Sequence, residues 1–223
     1  MTTVVLVPYR GDNGGRRDQL WAYTRKWFDQ HLNWQIRVGE SPPGPFNRSA
    51  AINRAADGDW DVAIIHDADT IVPAHQLECA VDTAAHTGRL TFAFTSVVEL
   101  SEGCTDHLLA SNSTDLDHLV IDRLRTEPLA TQSSAVVVPR PLWRRLGGFD
   151  ERFVGWSAED NAFCRAATII GGIPQRIPGH AFHLWHPPGK PPGNDPNYVR
   201  NQRRWRKYLA ARAPSQIDAL RHD

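Results

Sequence analysis

Ile64-Ile65-His66-Asp67-Ala68-Asp69-Thr70-Ile71-Val72-Pro73 is an apolar run that stops abruptly at two carboxylates. The residues over 62–65 are short, continuous and apolar, as in a strand buried on both faces. Asp67 and Asp69 stand two apart, which turns both side chains to the same side of an extended chain. In open α/β sheets, ligands bind outside the carboxyl ends of the strands. Two oxygen anions at such an end suit a hard divalent cation carrying a diphosphate, Mn²⁺ or Mg²⁺. A solvated turn after a strand has the same look, because Asp is a turn former. The flanking sequence has to separate the two readings.

Upstream, the pattern alternates. Val4-Val5-Leu6-Val7 reads as another buried strand, ended by Pro8-Tyr9-Arg10-Gly11. Leu20, Tyr23, Thr24, Trp27, Phe28 and His31 fall near helical spacing and predict a helix to about residue 32, with those aromatics in the core. A strand over 35–38 and a Pro/Gly loop over 41–45 follow. Phe46-Asn47-Arg48-Ser49 then opens a helix buried through Ala51, Ile52, Ala55 and Ala56. This alternation predicts an α/β fold, a Rossmann-like and mostly parallel sheet flanked by helices in a single domain. Gly-x-Gly-x-x-Gly and Walker patterns are absent, so phosphate binding falls to a metal and side chains rather than to a glycine-rich nest.

Downstream, helices are expected over 73–86 and 139–147, and strands over 90–94, 135–138, 173–177 and 181–184. The stretch 99–117 has no clear period and reads as a loop or an acceptor-facing insertion; 116–124 reads as helical. Gly155-Trp156-Ser157-Ala158-Glu159-Asp160 leads into a helix whose apolar face is Phe163, Ala166, Ala167 and Ile170. Ser157 is its candidate N-cap, and the two acids favour its positive end. Capping alone requires neither the Gly-Trp pair nor two adjacent acids. His183-Leu184-Trp185-His186 sets two imidazoles three residues apart after the last strand. A flexible Pro/Gly loop over 187–196 and a basic helix over 198–212 complete the chain.

Bulk properties narrow the function classes. The 223 residues are 41% hydrophobic and 22% charged, which fits one globular domain with a sizeable core. Formal net charge is zero, so no global field points to nucleic acid or an anionic membrane. Only Lys26, Lys190 and Lys207 of the 25 basic residues are lysine, and arginine suits phosphate recognition. Cys79, Cys104 and Cys164 lack metal spacing and read as reduced thiols. No apolar run reaches the ~18 residues of a membrane span. With no signal peptide apparent, a cytoplasmic location is expected.

Taken in order, these pieces resemble GT-A-fold glycosyltransferases, most closely the family that includes the β-1,4-galactosyltransferases. The resemblance rests on Pro8-Tyr9-Arg10, Phe46-Asn47-Arg48, Asp67-x-Asp69, Gly148-Phe149 followed by Gly155-Trp156-x-x-Glu159-Asp160, and His183-x-x-His186. It implies a GT-A catalytic domain over 1–186, with the Pro/Gly loop and basic helix of 187–223 packed on or extending it. The implied reaction moves a sugar from a nucleotide-diphosphate donor, expected to be a UDP-sugar, to an acceptor hydroxyl, with inversion. Asp69, His186 and His183 are the candidate metal ligands, and mixed oxygen and imidazole ligation favours Mn²⁺ over Mg²⁺. Pro8, Tyr9, Arg10, Phe46, Arg48 and Asp67 are the candidate donor-nucleotide residues. Phe46 offers a flat face to a base, and the arginines offer donors to phosphate or ribose. Trp156 would stack on a sugar. The resemblance selects Asp160 as catalytic base and leaves Glu159 to orient hydroxyls. His66 alternates away from the aspartates and reads as structural.

This sequence departs from the family where Ser157-Ala158 replaces two glycines and His183 replaces a methionine. Donor sugar and acceptor therefore stay open: glycan, small molecule or modified DNA. The competing readings are a retaining transferase of the polypeptide N-acetylgalactosaminyltransferase type and a nucleotidyltransferase acting on sugar phosphates.

Overall fold

The computed structural model describes residues 1–111, 113, 114, 121–126, 132–187, 189 and 194–222. The chain begins β1 (Thr3–Pro8), α1 (Arg16–His31), β2 (Gln35–Gly39), α2 (Arg48–Ala55) and β3 (Val62–His66). It continues through β4 (Thr70–Ile71), α3 (Ala74–Thr87), β5 (Thr91–Phe92), β6 (Ser96–Leu100) and α4 (Glu102–Ser111). Then come β7 (Ile121–Thr126), β8 (Ala135–Pro139), α5 (Arg140–Leu146) and α6 (Glu159–Gly171). The last elements are β9 (Gln175–Arg176), β10 (His180–His183), α7 (Pro196–Ala210) and α8 (Pro214–His222).

The main sheet has the order β2-β1-β3-β8-β5-β9. The neighbours β1 and β2, β1 and β3, and β5 and β9 run parallel, while β8 runs against both β3 and β5. β1, β3 and β8 are buried along their whole length, so their apolar runs need no alternation. Helix α2 lies against β1 and β2. That approach depends on Gly39, where a Cβ would sit 1.8 Å from the Ala51 carbonyl oxygen. Asn47 caps α2 by accepting from the Ala50 N–H at 2.9 Å.

A second sheet, β4-β10-β6-β7, was not foreseen. Its strand β4 is two residues long, too short to give a period. The helix expected over 116–124 is corrected in part: 121–126 is the strand β7, paired antiparallel with β6, and 116–120 lie outside the described residues. The unreadable stretch 99–117 holds helix α4, which buries only Thr105 and Leu108 and so carries little periodic signal. Helix α8 also escaped the sequence reading because Ile217 is its only buried residue. Both α7 and α8 pack against α6. Asp195 caps α7 through the Tyr198 N–H at 2.9 Å; the preceding loop lies partly outside the described residues. No helix among the described residues is long and apolar enough to cross a membrane.

Candidate active site

The exits of β1, β3 and β10 and the N-termini of α2 and α6 converge on one cleft of about 620 Å³. Its walls include Pro8, Tyr9, Arg10, Phe46, Arg48, Asp67, Asp69, Trp156, Glu159, Asp160, His183 and His186. Every side chain nominated from sequence therefore faces a common space.

At one end stands a carboxylate with two imidazoles. His186 Nε2 lies 3.4 Å from Asp69 Oδ2, and His183 Nε2 lies 3.8 Å from Asp69 Oδ1. One candidate ligand atom from each residue falls within 4.8 Å of the others. The β4–β10 pairing assembles this trio: His183 is the register partner of Thr70, and the Leu184 N–H donates to the Asp69 carbonyl at 2.9 Å. His186 Nδ1 lies 2.9 Å from the Pro187 carbonyl, a contact that requires the proton on Nδ1 and leaves the Nε2 lone pair toward Asp69. These separations are long for hydrogen bonds and suit donors around a shared ion of ~2.1 Å ligand distance. The trio thus fits a divalent transition metal, with Mn²⁺ compatible with its mixed donor set.

Across the cleft, Arg48 bridges two acids. Its Nη2 donates to Asp67 Oδ1 at 2.6 Å, and its Nη1 donates to Asp160 Oδ1. Asp67 is further held by the Ser134 N–H at 2.8 Å. Burial opposes the Arg48 charge, but Asp160, Asp67 and Glu159 outweigh it and raise the guanidinium pKa. Burial also opposes ionisation of Asp67, yet Arg48 holds that carboxyl below its usual range. Asp160 behaves differently: burial, reinforced by Glu159 and Asp67, pushes it up to about 8 despite Arg48. Glu159 is raised too, first by burial. Both acids of the pair therefore resist ionisation, for the shared reason of burial.

The residues expected to meet the donor nucleotide make different contacts. Tyr9 lines the cleft with its ring while its hydroxyl donates to Asp18. Arg10 commits both Nη atoms to the loop before α2, bonding Gly44 O at 2.6 Å, Pro42 O at 2.6 Å and Ser41 Oγ at 2.8 Å. It also lies 5.4 Å from the Phe46 ring centroid, so it holds Phe46 in place. The Gly155 N–H donates to the Phe46 carbonyl at 2.8 Å, tying the Trp156 loop to the cleft wall at Phe46. Trp156 itself is 48% exposed. His66 is fully buried, edge-on to Phe28 at 4.9 Å, and is a core residue as expected.

One expectation fails. Ser157 does not cap α6: Ala158 is the N-cap residue, at φ 72°, and Ser157 Oγ instead accepts from Gln202 Nε2 at 2.6 Å. Sequence reading also missed Arg17, a cation on the cleft wall near the start of α1, and Asn201, which bonds Val154 and Trp156 and fixes the loop between them. Arg17 follows Gly14-Gly15 in a helix N-terminus, a position that could have flagged it.

No protein-family model matches the sequence, and no curated protein matches it. Solved structures do. Glucosyl-3-phosphoglycerate synthase from Mycobacterium tuberculosis, in complex with Mn²⁺, UDP and phosphoglyceric acid, is similar at TM-score 0.55 and 14% identity, over 97% of this chain and 78% of that one. A mannosyltransferase from Pyrobaculum calidifontis, in complex with GDP-Man and Mn²⁺, is similar at TM-score 0.52 and 15% identity, over 99% of this chain and 68% of that one. A Drosophila β-1,4-galactosyltransferase 7, in complex with manganese, UDP-Gal and xylobiose, gives TM-score 0.48 and 13% identity over 79% of this chain. This chain spans 65% of the fly protein's length. The first two likenesses concern architecture, and with the sheet order above they give this chain the GT-A fold.

Proposed function

We propose that this protein is a metal-dependent glycosyltransferase that moves a sugar from a nucleoside-diphosphate donor to an acceptor hydroxyl with inversion. The observation that carries the proposal is the convergence of Asp69, His183 and His186 with Asp160 and Glu159 on one cleft. The solved structures of the same fold support it, since they bind Mn²⁺ with UDP or GDP-Man.

Asp69, His183 and His186 would hold a divalent ion, which would supply Lewis-acid neutralisation of negative charge on the leaving diphosphate. Phe46, Tyr9 and Pro8 form the apolar wall for the nucleoside, with Arg10 bracing it. Arg48 keeps Asp67 ionised and oriented for the ribose or the donor sugar. Asp160 accepts the acceptor's hydroxyl proton as its oxygen bonds the anomeric carbon; the electron pair of the broken carbon–oxygen bond leaves with the diphosphate. Glu159 orients hydroxyls beside it.

The test is a panel of UDP- and GDP-sugars incubated with Mn²⁺, reading which nucleotide is released and the anomer formed. Release of a nucleoside diphosphate with an inverted product supports the proposal. Pyrophosphate release would instead indicate nucleotidyl transfer, and a retained anomer would remove Asp160 as the base of a direct displacement.

A further inference from the structure

A second hollow of about 350 Å³ opens beside the cleft, sharing Trp156, Glu159 and Asp160 with it and running on to Asn161, Gln202 and Trp205. Helix α7 supplies its far wall. Tyr198, Gln202 and Trp205 recur at i, i+4 and i+7, so they lie on one helix face. Tyr198 stacks on Trp156, with centroids 5.9 Å apart and planes 24° from parallel, and stiffens that exposed indole.

The charges of α7 go elsewhere. Arg204 pairs with Asp150, which also accepts from the Tyr208 hydroxyl at 2.9 Å. Arg203, Arg206 and Lys207 are exposed, and no arginine or lysine among the described residues lines this hollow. Its only charged walls among the described residues are Glu159 and Asp160. Phosphate or carboxylate would meet two acids there, and Arg48, which bonds Asp160, is already shared with Asp67. A neutral ring bearing hydroxyls suits it: indoles face apolar C–H surfaces, while amide and carboxylate groups bond hydroxyls.

Building on the transfer reading above, we infer that this hollow is the acceptor subsite, and that the acceptor is an uncharged carbohydrate held by Trp156, Trp205 and Gln202 with a hydroxyl presented to Asp160. The basic face of α7 takes no part in acceptor binding.

The experiment uses the full chain, Mn²⁺ and the donor identified by nucleotide release, with methyl β-glucoside, cellobiose and lactose as neutral acceptors. Glucuronic acid and glycerol 3-phosphate serve as anionic ones. The expected result is transfer to a neutral sugar, with acceptor KM raised about tenfold in Trp205→Ala and in Gln202→Ala, the size of one lost stacking or hydrogen-bond contact. UDP affinity and melting temperature verify that these variants are folded, and Arg203→Ser with Arg206→Ser leaves acceptor KM unchanged. Preference for an anionic acceptor, or an unchanged KM in both Trp205→Ala and Gln202→Ala, overturns the inference while leaving the transfer reading intact. Absence of nucleotide release from every donor contradicts the transfer reading first, and this inference with it.

Discussion

Arg48 stands between two carboxylates whose ionisation is shifted in opposite directions. It holds the Asp67 carboxyl below its usual range, whereas burial, first of all, pushes Asp160 up to about 8. A base protonated at rest gives kcat/KM an acid limb, because that ratio reports free-enzyme ionisations. We expect kcat/KM to rise with pH toward about 8 and to flatten above it. Asp160→Asn should abolish that limb, lower kcat by roughly 10²–10⁴-fold, and leave UDP affinity in place. Stability follows the same ionisation with a definite sign. A carboxyl whose folded pKa lies above its unfolded value contributes stability below the unfolded pKa and loses it as pH climbs through the folded one. Asp160→Asn should therefore melt progressively higher than wild type between about pH 4 and 8, with no such widening if Asp160 ionises normally. Arg48→Ala should cost about 3 kcal/mol by leaving buried carboxylates without their cation. It should also move the acid limb upward, since Arg48 lowers the Asp160 pKa. Arg48→Lys should recover part of the melting temperature without restoring the two-pronged bridge. Asp160 and Asp69 were legible in sequence because each sits in a short motif at an element's end. The Arg48 bridge was not, because it joins residues 112 apart and exists only once α2 and α6 meet.

Helix α6 begins on two residues outside the usual backbone regions. Ser157 has φ 108° and Ala158 φ 72°, where a Cβ is strained. Ala158→Gly relieves strain of about 1–2 kcal/mol and gives back ~0.4–1 kcal/mol through a more flexible unfolded chain. The net expectation is a melting temperature raised by about 1–4 °C, read by thermal denaturation. A lowered melting temperature would mean that the Ala158 methyl packs for more than its backbone costs. The same segment explains what sequence patterns reveal. The 3.6-residue period made α1 and α6 legible, because Leu20 and Phe163 each belong to a continuous buried face. The pattern fails for β4, which is two residues long, and for α8, whose single buried side chain makes no stripe. It also cannot show direction: Ala135-Val136-Val137-Val138 reads as a buried strand, but only its partners reveal that it runs against β3 and β5.

At the scale of the whole molecule, two sheets have separate tasks. The six-stranded sheet fixes the cleft wall at the exits of β1 and β3 and Asp67; the four-stranded one brings β10 against β4 and so carries His183 and His186 to Asp69. The centre spans residues that are far apart in the chain, so it exists only in the folded state, and metal binding should stabilise the fold by linkage. Mn²⁺ should raise the melting temperature of the wild type and leave that of Asp69→Asn nearly unmoved. The most direct test of the central claim is nucleotide release from the active donor, measured with a chelator, after Mn²⁺ is restored, and in Asp69→Asn. Expected are no release in the chelator, full recovery with Mn²⁺, and a loss of at least about 100-fold in Asp69→Asn, as for a charged metal ligand. Undiminished release in the chelator, or a near-normal rate in Asp69→Asn, would contradict that claim.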